Sequence, residues 1–395
     1  MIVGVLREPS FESRVSLLAE GAAVLVKRKL TVWVQSGAGS MAYCPDAAYS
    51  SVGVLVRSRE ELISGADVLL GIHPENFAGT FQNPEALENP EALENPGTLE
   101  NLAALQDKIV VGVFQPLFNS SVMAAWARQK ITSFSLDMLP RTTRAQPMDV
   151  LSSQANIAGY KAVLLAAGLF PRYFPMFMTA AGSIPPAKVL VLGAGVAGLQ
   201  AIATARRLGA MVEVFDTRPA VREEVMSLGG KFIEVDGAAD ASKAGGYAVE
   251  QSIDFTQRQQ DRIAESVARA DVVITTAQIP GRRAPVLVTA AMIGTMRPGS
   301  VIVDLAAATG GNTELTSSSE TVVHDGVTIV GNSALASTMP YDASKLYGKN
   351  VLNFLELIVD GAGQLKLDMN DELVKGCCIT FGGEVVNERV KNIIL

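Results

Sequence analysis

Cysteine and histidine are scarce in this chain of 395 residues, which contains three cysteines and two histidines. Cys44 stands alone and Cys377 and Cys378 are adjacent, so the cysteines have neither the spacing of a metal site nor the number needed for a disulfide framework. An excess of positive charge is also lacking, since 40 acidic residues against 33 basic ones give a net charge of −7. We therefore expect a protein of a reducing compartment, with no metal site and no nucleic-acid partner.

A long apolar run is absent as well. The most apolar stretch, residues 162–181, is interrupted by Pro171, Arg172 and Pro175, whereas a membrane-spanning helix needs about 18 or more consecutive apolar residues. The opening MIVGVLREPS passes directly into a strand pattern, so we expect any targeting segment to be absent or already removed. These features predict a soluble chain.

The sequence is rich in short Val/Ile/Leu runs that alternate with helix-length segments, and 48% of its residues are hydrophobic, which is ample for packed cores. Continuous apolar runs joined by helical crossovers are typical of buried parallel strands. The predicted strands form two series, one at residues 2–6, 31–35, 52–56, 67–72, 109–113 and 132–134, and one at 188–192, 211–215, 231–234, 271–275 and 301–305. We predict an α/β fold with two Rossmann-like, doubly wound parallel-sheet domains and a cleft between them.

Two predicted helices and one repeat set the expected domain boundaries. A helix at 152–169, with Ser152 as a possible N-cap, should join the two series. After a helix at 343–359, the tail has strand-like ends around a Gly-Gly turn, so we expect it to return to the first domain. The N-terminal domain is then 1–140 plus about 341–395, and the second is about 155–340. The tandem hexapeptide NPEALE at 83–100 has a proline at every sixth position, which prevents a continuous helix and predicts a surface insertion.

The run GAGVAG follows the predicted strand 188–192 and opens a helix, which is the context that a dinucleotide-binding glycine motif requires. Gly193 permits the tight turn, Gly195 lets a pyrophosphate approach the backbone, and Gly198 allows the helix to pack closely on the strand. The helix N-terminus offers free N–H groups to the phosphates. The expected nucleotide contacts also include Val196, Thr217, Thr276 and Ala277.

Asp216 ends the next strand 18 residues after Gly198, where a ribose acceptor is required. A carboxylate there binds ribose hydroxyls and repels a 2′-phosphate, so NAD is favoured over NADP. Arg218 could accommodate such a phosphate, although a solvated charge at the start of a helix is the simpler interpretation.

The two histidines provide little acid/base chemistry. His324 lies beside an Asp-Gly turn and is predicted to be an exposed hairpin residue. His73 follows the strand 67–72, where α/β sites form, but a capping or surface role fits it equally well. Because an alcohol or amine dehydrogenase must move a proton as well as a hydride, this scarcity favours a reaction in which the cofactor is itself the substrate.

The segment 138–154, MLPRTTRAQPMDVLSSQ, is predicted to be a loop because of its two prolines. It could be a polar interdomain linker or a functional loop, and Arg141 and Asp149 could equally be a structural ion pair. Its planar donors and acceptors are Arg141, Arg144, Gln146, Asp149, Ser152 and Gln154.

Five segments of the chain together resemble the NAD(H)-binding component, domain I, of proton-translocating nicotinamide nucleotide transhydrogenases. These segments are MLPRTTRAQPMDVLSSQANIAGYKAV, TAAGSIPPAKVLVLGAGVAGLQAIATARRLGA, VVITTAQIPG, PGSVIVDLAAATGGN and GKNVLNFL. The resemblance covers nearly the whole chain apart from the hexapeptide repeat. It implies an Arg-Gln-Asp triad at Arg141, Gln146 and Asp149, with Ser152 at the helix start. It also implies a mobile loop, at Gly246 and Tyr247, that closes over the nucleotide.

The same resemblance implies direct hydride transfer from NADH to NADP⁺ held on a partner domain. Arg141, Asp149 and Ser152 would fix the NADH carboxamide, and Gln146 would reach the partner's nucleotide. The family resemblance further implies a homodimer at the soluble face of a membrane-bound complex, in the bacterial cytoplasm, the mitochondrial matrix or at another organelle membrane. Proton-pumping membrane segments would lie elsewhere in the complex.

Two alternatives stay open. Alanine dehydrogenases are similar in architecture and in the opening REPSFESRV, with Arg14, but they need a lysine and a histidine where this chain has His73 and Phe114-Gln115. A nucleotide-sensing module without turnover is the other alternative, and only the triad loop argues against it.

Overall fold

The computed structural model describes residues 1–78, 102–235 and 252–394, which form two compact units. The first, here called the terminal unit, comprises Met1–Gln154 and Ser337–Leu395, and the second, the central unit, comprises Ala155–Ala336. The hexapeptide repeat at 83–100 and the predicted contacts Gly246 and Tyr247 lie outside the described residues.

The strands are short, and four of them, Val68–Leu70, Ile109–Gly112, Val272–Thr275 and Val301–Asp304, are buried along their whole length. In chain order they are β1 (Ile2–Val5), β2 (Thr31–Gln35), β3 (Leu55–Arg57), β4 (Val68–Leu70), β5 (Ile109–Gly112), β6 (Thr132–Ser135), β7 (Phe177–Thr179), β8 (Gly182–Ile184), β9 (Lys188–Leu192), β10 (Met211–Phe215), β11 (Lys231–Phe232), β12 (Val272–Thr275), β13 (Val301–Asp304), β14 (Thr321–His324), β15 (Val327–Val330), β16 (Cys378–Phe381) and β17 (Glu384–Val385).

Helices connect most of these strands. In chain order they are α1 (Ala19–Lys27), α2 (Asp46–Ser51), α3 (Arg59–Gly65), α4 (Glu75–Ala78), α5 (Ser120–Arg128), α6 (Val150–Leu169), α7 (Val196–Arg207), α8 (Arg222–Ser227), α9 (Ile253–Val267), α10 (Ala290–Ile293), α11 (Pro340–Ile358), α12 (Glu372–Cys377) and α13 (Glu388–Ile394). A 3₁₀ segment, Thr143–Met148, precedes α6.

The terminal unit contains an eight-stranded sheet in the order β17-β16-β6-β5-β4-β1-β2-β3. Strands β1 to β6 are parallel, and β16 pairs antiparallel with β6. The hydroxyls of Ser133 and Thr380 bond across this last pair at 2.7 Å. Residues from both ends of the chain therefore share one sheet.

The core of the terminal unit includes Trp126 of α5, which is fully buried between Phe77 and Phe114 with ring centroids 5.6 and 5.0 Å away. The other tryptophan of the sequence, Trp33, lies on β2 and packs against the same core. Both tryptophans thus belong to the terminal unit.

The central unit contains a seven-stranded sheet in the order β11-β10-β9-β12-β13-β15-β14, in which β14 pairs antiparallel with β15. From β9 the chain passes to β10 on one side and later to β12 on the other, so the strand order reverses beside β9. Ligands of open α/β sheets bind at the carboxyl ends of the strands at such a point. The predicted α/β class with two largely parallel sheets is confirmed, and β9 and β10 have the predicted bounds.

The start of α6 differs from the prediction. The helix begins at Val150, and the carboxylate of Asp149 accepts the main-chain N–H of Ser152 at 2.9 Å. Asp149 is therefore the capping residue, and the assignment of Ser152 as N-cap was wrong because the helix begins two residues earlier. Asp149 satisfies a donor that the first turn cannot pair internally.

None of the helices within residues 1–78, 102–235 and 252–394 combines the length and apolar character that a bilayer crossing requires.

Candidate functional site

The glycine turn after β9 has the geometry of a phosphate-binding loop. Gly193 has a φ of +103°, which a residue with a side chain rarely adopts, and a Cβ on Gly198 would lie 1.9 Å from the carbonyl oxygen of Gly193. No atom lies within 4 Å of the place where a Cβ on Gly195 would stand, so the turn is open to solvent there. Gly195 caps α7 without a side chain, which leaves the first N–H groups of the helix available to an anion. This open turn fits a dinucleotide pyrophosphate.

Asp216, which directly follows β10, already accepts four hydrogen bonds from the chain itself. Its carboxylate accepts the main-chain N–H groups of Ala194 at 2.7 Å and Arg218 at 2.8 Å, and the Nε and Nη2 of Arg218 at 2.9 and 2.8 Å. The side chains of Asp216 and Arg218 are only 6% and 17% exposed. These donors occupy the roughly four acceptor positions of a carboxylate, so a ribose that binds Asp216 must displace part of this set.

The expectation that Arg218 is a solvated charge was therefore wrong. The carboxylate of Asp216 hydrogen-bonds the guanidinium and raises the pKa of Arg218. Asp216 directly follows β10, and its carboxylate accepts the N–H of Arg218 two residues later, so the guanidinium lies within reach of the same carboxylate.

The end of β12 is fastened to the glycine turn. The hydroxyl of Thr276 donates to the carbonyl of Gly193 at 3.0 Å. Asn312, which is fully buried, accepts the N–H of Ala277 at 3.0 Å and donates to the carbonyl of Ala277 at 2.8 Å. Sequence reasoning missed Asn312, although it stands in the ATGGN run after β13. The arrangement makes Thr276 and Ala277 a rigid wall beside the turn.

The three predicted triad residues, which lie in the loop before α6, differ in solvent exposure. Arg141 and Gln146 are exposed, whereas Asp149 is half-buried. The carboxylate of Asp149 accepts the Ser152 hydroxyl at 2.5 Å as well as the Ser152 N–H. Asp149 and Ser152 thus form one hydrogen-bonded group at the start of α6. Arg144 instead forms an ion pair with Asp371 at the start of α12, which anchors the loop.

A buried ionic cluster at the carboxyl ends of β1 and β4 was not predicted. Glu12, whose side chain is 2% exposed, binds Arg14 Nη2 at 2.6 Å and His73 Nε2 at 2.8 Å. Arg14 Nη1 also donates to Gln154 Oε1 at 2.8 Å. His73 is therefore a half-buried member of this cluster and not a surface or capping side chain. The signal was available in the charged run of REPSFESR beside two strand ends, but the pairing joins residues 61 positions apart.

Burial and charge perturb this cluster. Glu8 accepts the Ile72 N–H at 2.8 Å and Asn76 Nδ2 at 2.5 Å, and burial raises the pKa of Glu8 to about 7. Burial alone would raise the pKa of Glu12, but the hydrogen bonds from Arg14 and His73 hold it well below its usual range. Burial would lower the pKa of His73, but its bond to Glu12 raises that pKa.

The other predicted features are placed as follows. His324 ends β14 in a hairpin whose Asp325 and Gly326 both have positive φ, as predicted for an Asp-Gly turn. The three cysteines are free and buried. In the described part of the chain, no group of three or more His, Cys, Asp or Glu residues could hold a metal ion.

Both units of the chain are similar to known proteins. The family model "Alanine dehydrogenase/PNT, N-terminal domain" matches residues 4–158, and "Alanine dehydrogenase/PNT, C-terminal domain" matches residues 162–388. An NAD(P) transhydrogenase alpha-subunit protein of Rhodospirillum rubrum is 43% identical over 95% of this chain and 95% of its own. The crystal structure of transhydrogenase from Sinorhizobium meliloti is similar with a TM-score of 0.80 and 39% identity, over 98% of this chain and 99% of that one. An alanine dehydrogenase of Staphylococcus saprophyticus is 24% identical over 99% of this chain and 96% of its own.

Proposed function

We infer the function from the premise that this chain belongs to the alanine dehydrogenase/PNT family, whose two domain models together span nearly all of it. It is the NAD(H)-binding component of a nicotinamide nucleotide transhydrogenase, and it presents NADH to NADP⁺ bound on a partner domain. The identity of 43% to a transhydrogenase subunit, against 24% to an alanine dehydrogenase, supports this choice within the family.

The observation that carries this choice is the pairing of Arg14 and His73 with Glu12. An amino-acid dehydrogenase needs a cation for the substrate carboxylate and an acid/base for the amine. Here Arg14 bonds Glu12 and Gln154, and His73 bonds Glu12 at 2.8 Å. The Glu12 carboxylate, which is 2% exposed, would repel a substrate carboxylate brought to Arg14, and this argues against an amino-acid substrate at this place.

The central unit is the NAD-binding domain of this proposal, and the terminal unit is the second domain. Gly193, Gly195, Val196 and Gly198 form the pyrophosphate turn at the start of α7. Asp216 binds ribose hydroxyls, with Thr217 and Arg218 beside it. Thr276 and Ala277 line the turn from the end of β12.

When bound, NADH and NADP⁺ supply the hydride donor and acceptor, and their direct exchange requires no proton at oxygen or nitrogen. The protein must position two rings at about 3 to 3.5 Å and exclude water. Arg141 and the Asp149–Ser152 group hold the NADH carboxamide. Gln146, which is exposed on the 3₁₀ segment, reaches the nucleotide of the partner domain.

The partners are a second copy of this chain and the NADP-binding and membrane domains of a transhydrogenase. Supporting the second copy, large apolar side chains are exposed on and beside the β7–β8 hairpin, where Tyr173 is 51%, Met176 64% and Met178 75% exposed. Exposed apolar patches of this kind mark interaction sites. We place the complex at the soluble face of a membrane, in the bacterial cytoplasm, the mitochondrial matrix or at another organelle membrane.

The test is to mix the full chain with an NADP-binding partner subunit and follow hydride transfer to an NAD⁺ analogue whose reduced form absorbs apart from NADPH. Transfer only in the presence of both proteins is the expected result. Steady NAD⁺-dependent oxidation of L-alanine by the chain alone would restore the alanine dehydrogenase alternative. NADH binding without turnover in either assay would indicate a sensing module.

A further inference from the structure

The loop that carries Gln146 and Asp149 is held by one buried side chain of α11. Asn350 Nδ2 donates to the carbonyl of Pro147 at 2.7 Å, and Asn350 Oδ1 accepts the hydroxyl of Ser153 at 2.7 Å. Asn350 is 7% exposed. Its amide therefore links the 3₁₀ segment before Asp149 to the first turn of α6 after it.

This contact adds to the ion pair of Arg144 with Asp371, at a part of the loop where the main chain bonds weakly to itself. Pro147 has no N–H, and the main-chain bond from Asp149 to Gln146 that closes the 3₁₀ segment is 3.3 Å long. The Pro147 carbonyl lies in the main chain between Gln146 and Asp149, so an anchor on it sets the direction of both. Asn353, one turn further along α11, donates to the same carbonyl at 3.2 Å from a half-buried position.

Asn350 and its partner Ser153 belong to a larger group of hydrogen-bonded side chains. Gln154 Nε2 donates to the Ala343 carbonyl at 3.1 Å and to Ser153 Oγ at 3.2 Å, and Gln154 Oε1 accepts Arg14. A continuous set of hydrogen bonds therefore runs from the buried ionic cluster through Gln154 and Ser153 to Asn350. Packed, fully bonded polar groups of this kind hold one geometry.

We propose that Asn350 is a positioning residue for hydride transfer, which it serves by bridging Pro147 and Ser153 and so fixing Gln146 against Asp149. This rests on the proposed function, because the residues it positions are those that hold the two nicotinamide rings. Asn350 touches neither nucleotide in this proposal. It acts only through the loop.

The experiment compares Asn350→Asp with the unmodified chain. Aspartate keeps the acceptor for Ser153 but, once ionised, cannot donate to the Pro147 carbonyl. Transfer is therefore measured up to about pH 9, where a carboxyl whose pKa is raised by burial is ionised. We expect single-turnover hydride transfer, measured with saturating NADP-binding partner, to fall at least about tenfold, because a misplacement of about 1 Å at a reacting centre costs on the order of a hundredfold. The dissociation constant for NADH should change by less than about threefold, and the melting temperature should show that the chain is folded. General damage to the fold would lower the NADH affinity together with the transfer rate, so a loss of transfer alone is not expected from it.

Lys349→Ala is the matched control, since Lys349 is an exposed neighbour on the same helix, and it should transfer hydride at the normal rate. Asn350→Ala, which adds no charge, replaces the aspartate variant should that variant not fold. Normal transfer by a folded Asn350 variant, or equal losses of transfer and NADH affinity, would overturn the positioning role. Absence of transfer by the unmodified chain with its partner would instead overturn the proposed function.

Discussion

At the scale of single residues, the clearest feature is that the Arg218 guanidinium and a bound ribose would compete for the Asp216 carboxylate. The Arg218 side chain supplies two of the donors described above, while the other two are main-chain N–H groups. The guanidinium is the mobile part of this set, so ribose hydroxyls replace it most readily. In the proposed function, we therefore expect Asp216 to discriminate between NADH and NADPH and Arg218 to oppose the binding of either nucleotide.

This competition predicts opposite effects of two substitutions. Asp216→Ala should weaken NADH binding by about 1.5–3 kcal/mol, since charge-assisted hydrogen bonds are lost. Arg218→Ala should tighten NADH binding by about threefold to tenfold and leave NADPH binding poor. Isothermal titration with both nucleotides measures this. Arg222→Ala removes a nearby exposed arginine and is the control. Weaker NADH binding by Arg218→Ala would assign the guanidinium to the nucleotide and not to Asp216.

We expect a substitution of Gln146 in the triad loop to separate NADH binding from hydride transfer. Gln146→Asn shortens the side chain by one methylene, so it should reduce single-turnover hydride transfer at least about tenfold. NADH affinity should stay within about threefold, because Gln146 does not contact NADH in the proposed arrangement. The rate must be measured with a saturating concentration of the partner domain, because weaker binding of that domain would lower the observed rate even if hydride transfer itself were unchanged. Loss of NADH binding would remove Gln146 from this role.

At the scale of secondary-structure elements, the β7–β8 hairpin predicts the oligomeric state. Tyr173 and Phe177 stack with centroids 5.0 Å apart, and Met178 beside them is 75% exposed. Met178→Glu places a charge on this apolar surface, so the protein should become monomeric in light scattering after size-exclusion chromatography. Met226→Glu changes an exposed methionine of the same unit on α8 and should leave a dimer. A dimer in both variants would place the interface elsewhere.

Sequence patterns predicted elements well where the pattern is local. The bounds of β2, β9 and β10 follow directly from apolar runs, and the Asp325-Gly326 turn follows from its residue types. The start of β3 was predicted too early, because α2 continues to Ser51 and Gly53, with a φ of +85°, turns the chain before Leu55.

The site was less predictable because its contacts are distant in sequence. Asp149 and Ser152 were both recognised, but which of them caps α6 depends on where the helix begins. The bond from Glu12 to His73 and the bridge from Asn350 to Pro147 join residues 61 and 203 positions apart. Pairings of this kind depend on the sheet order, and no spacing in the sequence indicates them.

At the scale of the whole molecule, the ionic cluster makes the terminal unit sensitive to pH. The pKa of Glu8 is raised to about 7 in the folded chain by burial, and that of His73 is raised by Glu12. A group whose pKa rises on folding contributes stability at low pH and loses it as the pH increases through its folded pKa. Both groups therefore destabilise the terminal unit as the pH rises from about 5 to 8.

Glu8→Gln tests this dependence because the amide does not ionise. Between pH 5 and 8 the free energy of unfolding of the unmodified chain should fall by up to about 3 kcal/mol more than that of the variant. Urea titrations followed by tryptophan fluorescence measure it, since both tryptophans lie in the terminal unit. Glu356→Gln, at an exposed ion pair, is the control. Parallel pH profiles for Glu8→Gln and the unmodified chain would mean that Glu8 stays ionised.

The pairing of β16 with β6 also orders events during synthesis. A ribosome that adds about 5–20 residues per second has synthesised all of the central unit several seconds before it reaches β16. During that interval the open edge of β6 has no neighbour, since its antiparallel partner β16 follows the central unit in the chain. The nascent protein therefore holds a complete central unit and an incomplete sheet of the terminal unit at the same time. The exposed β6 edge is the place where a chaperone or a misfolded contact would act first.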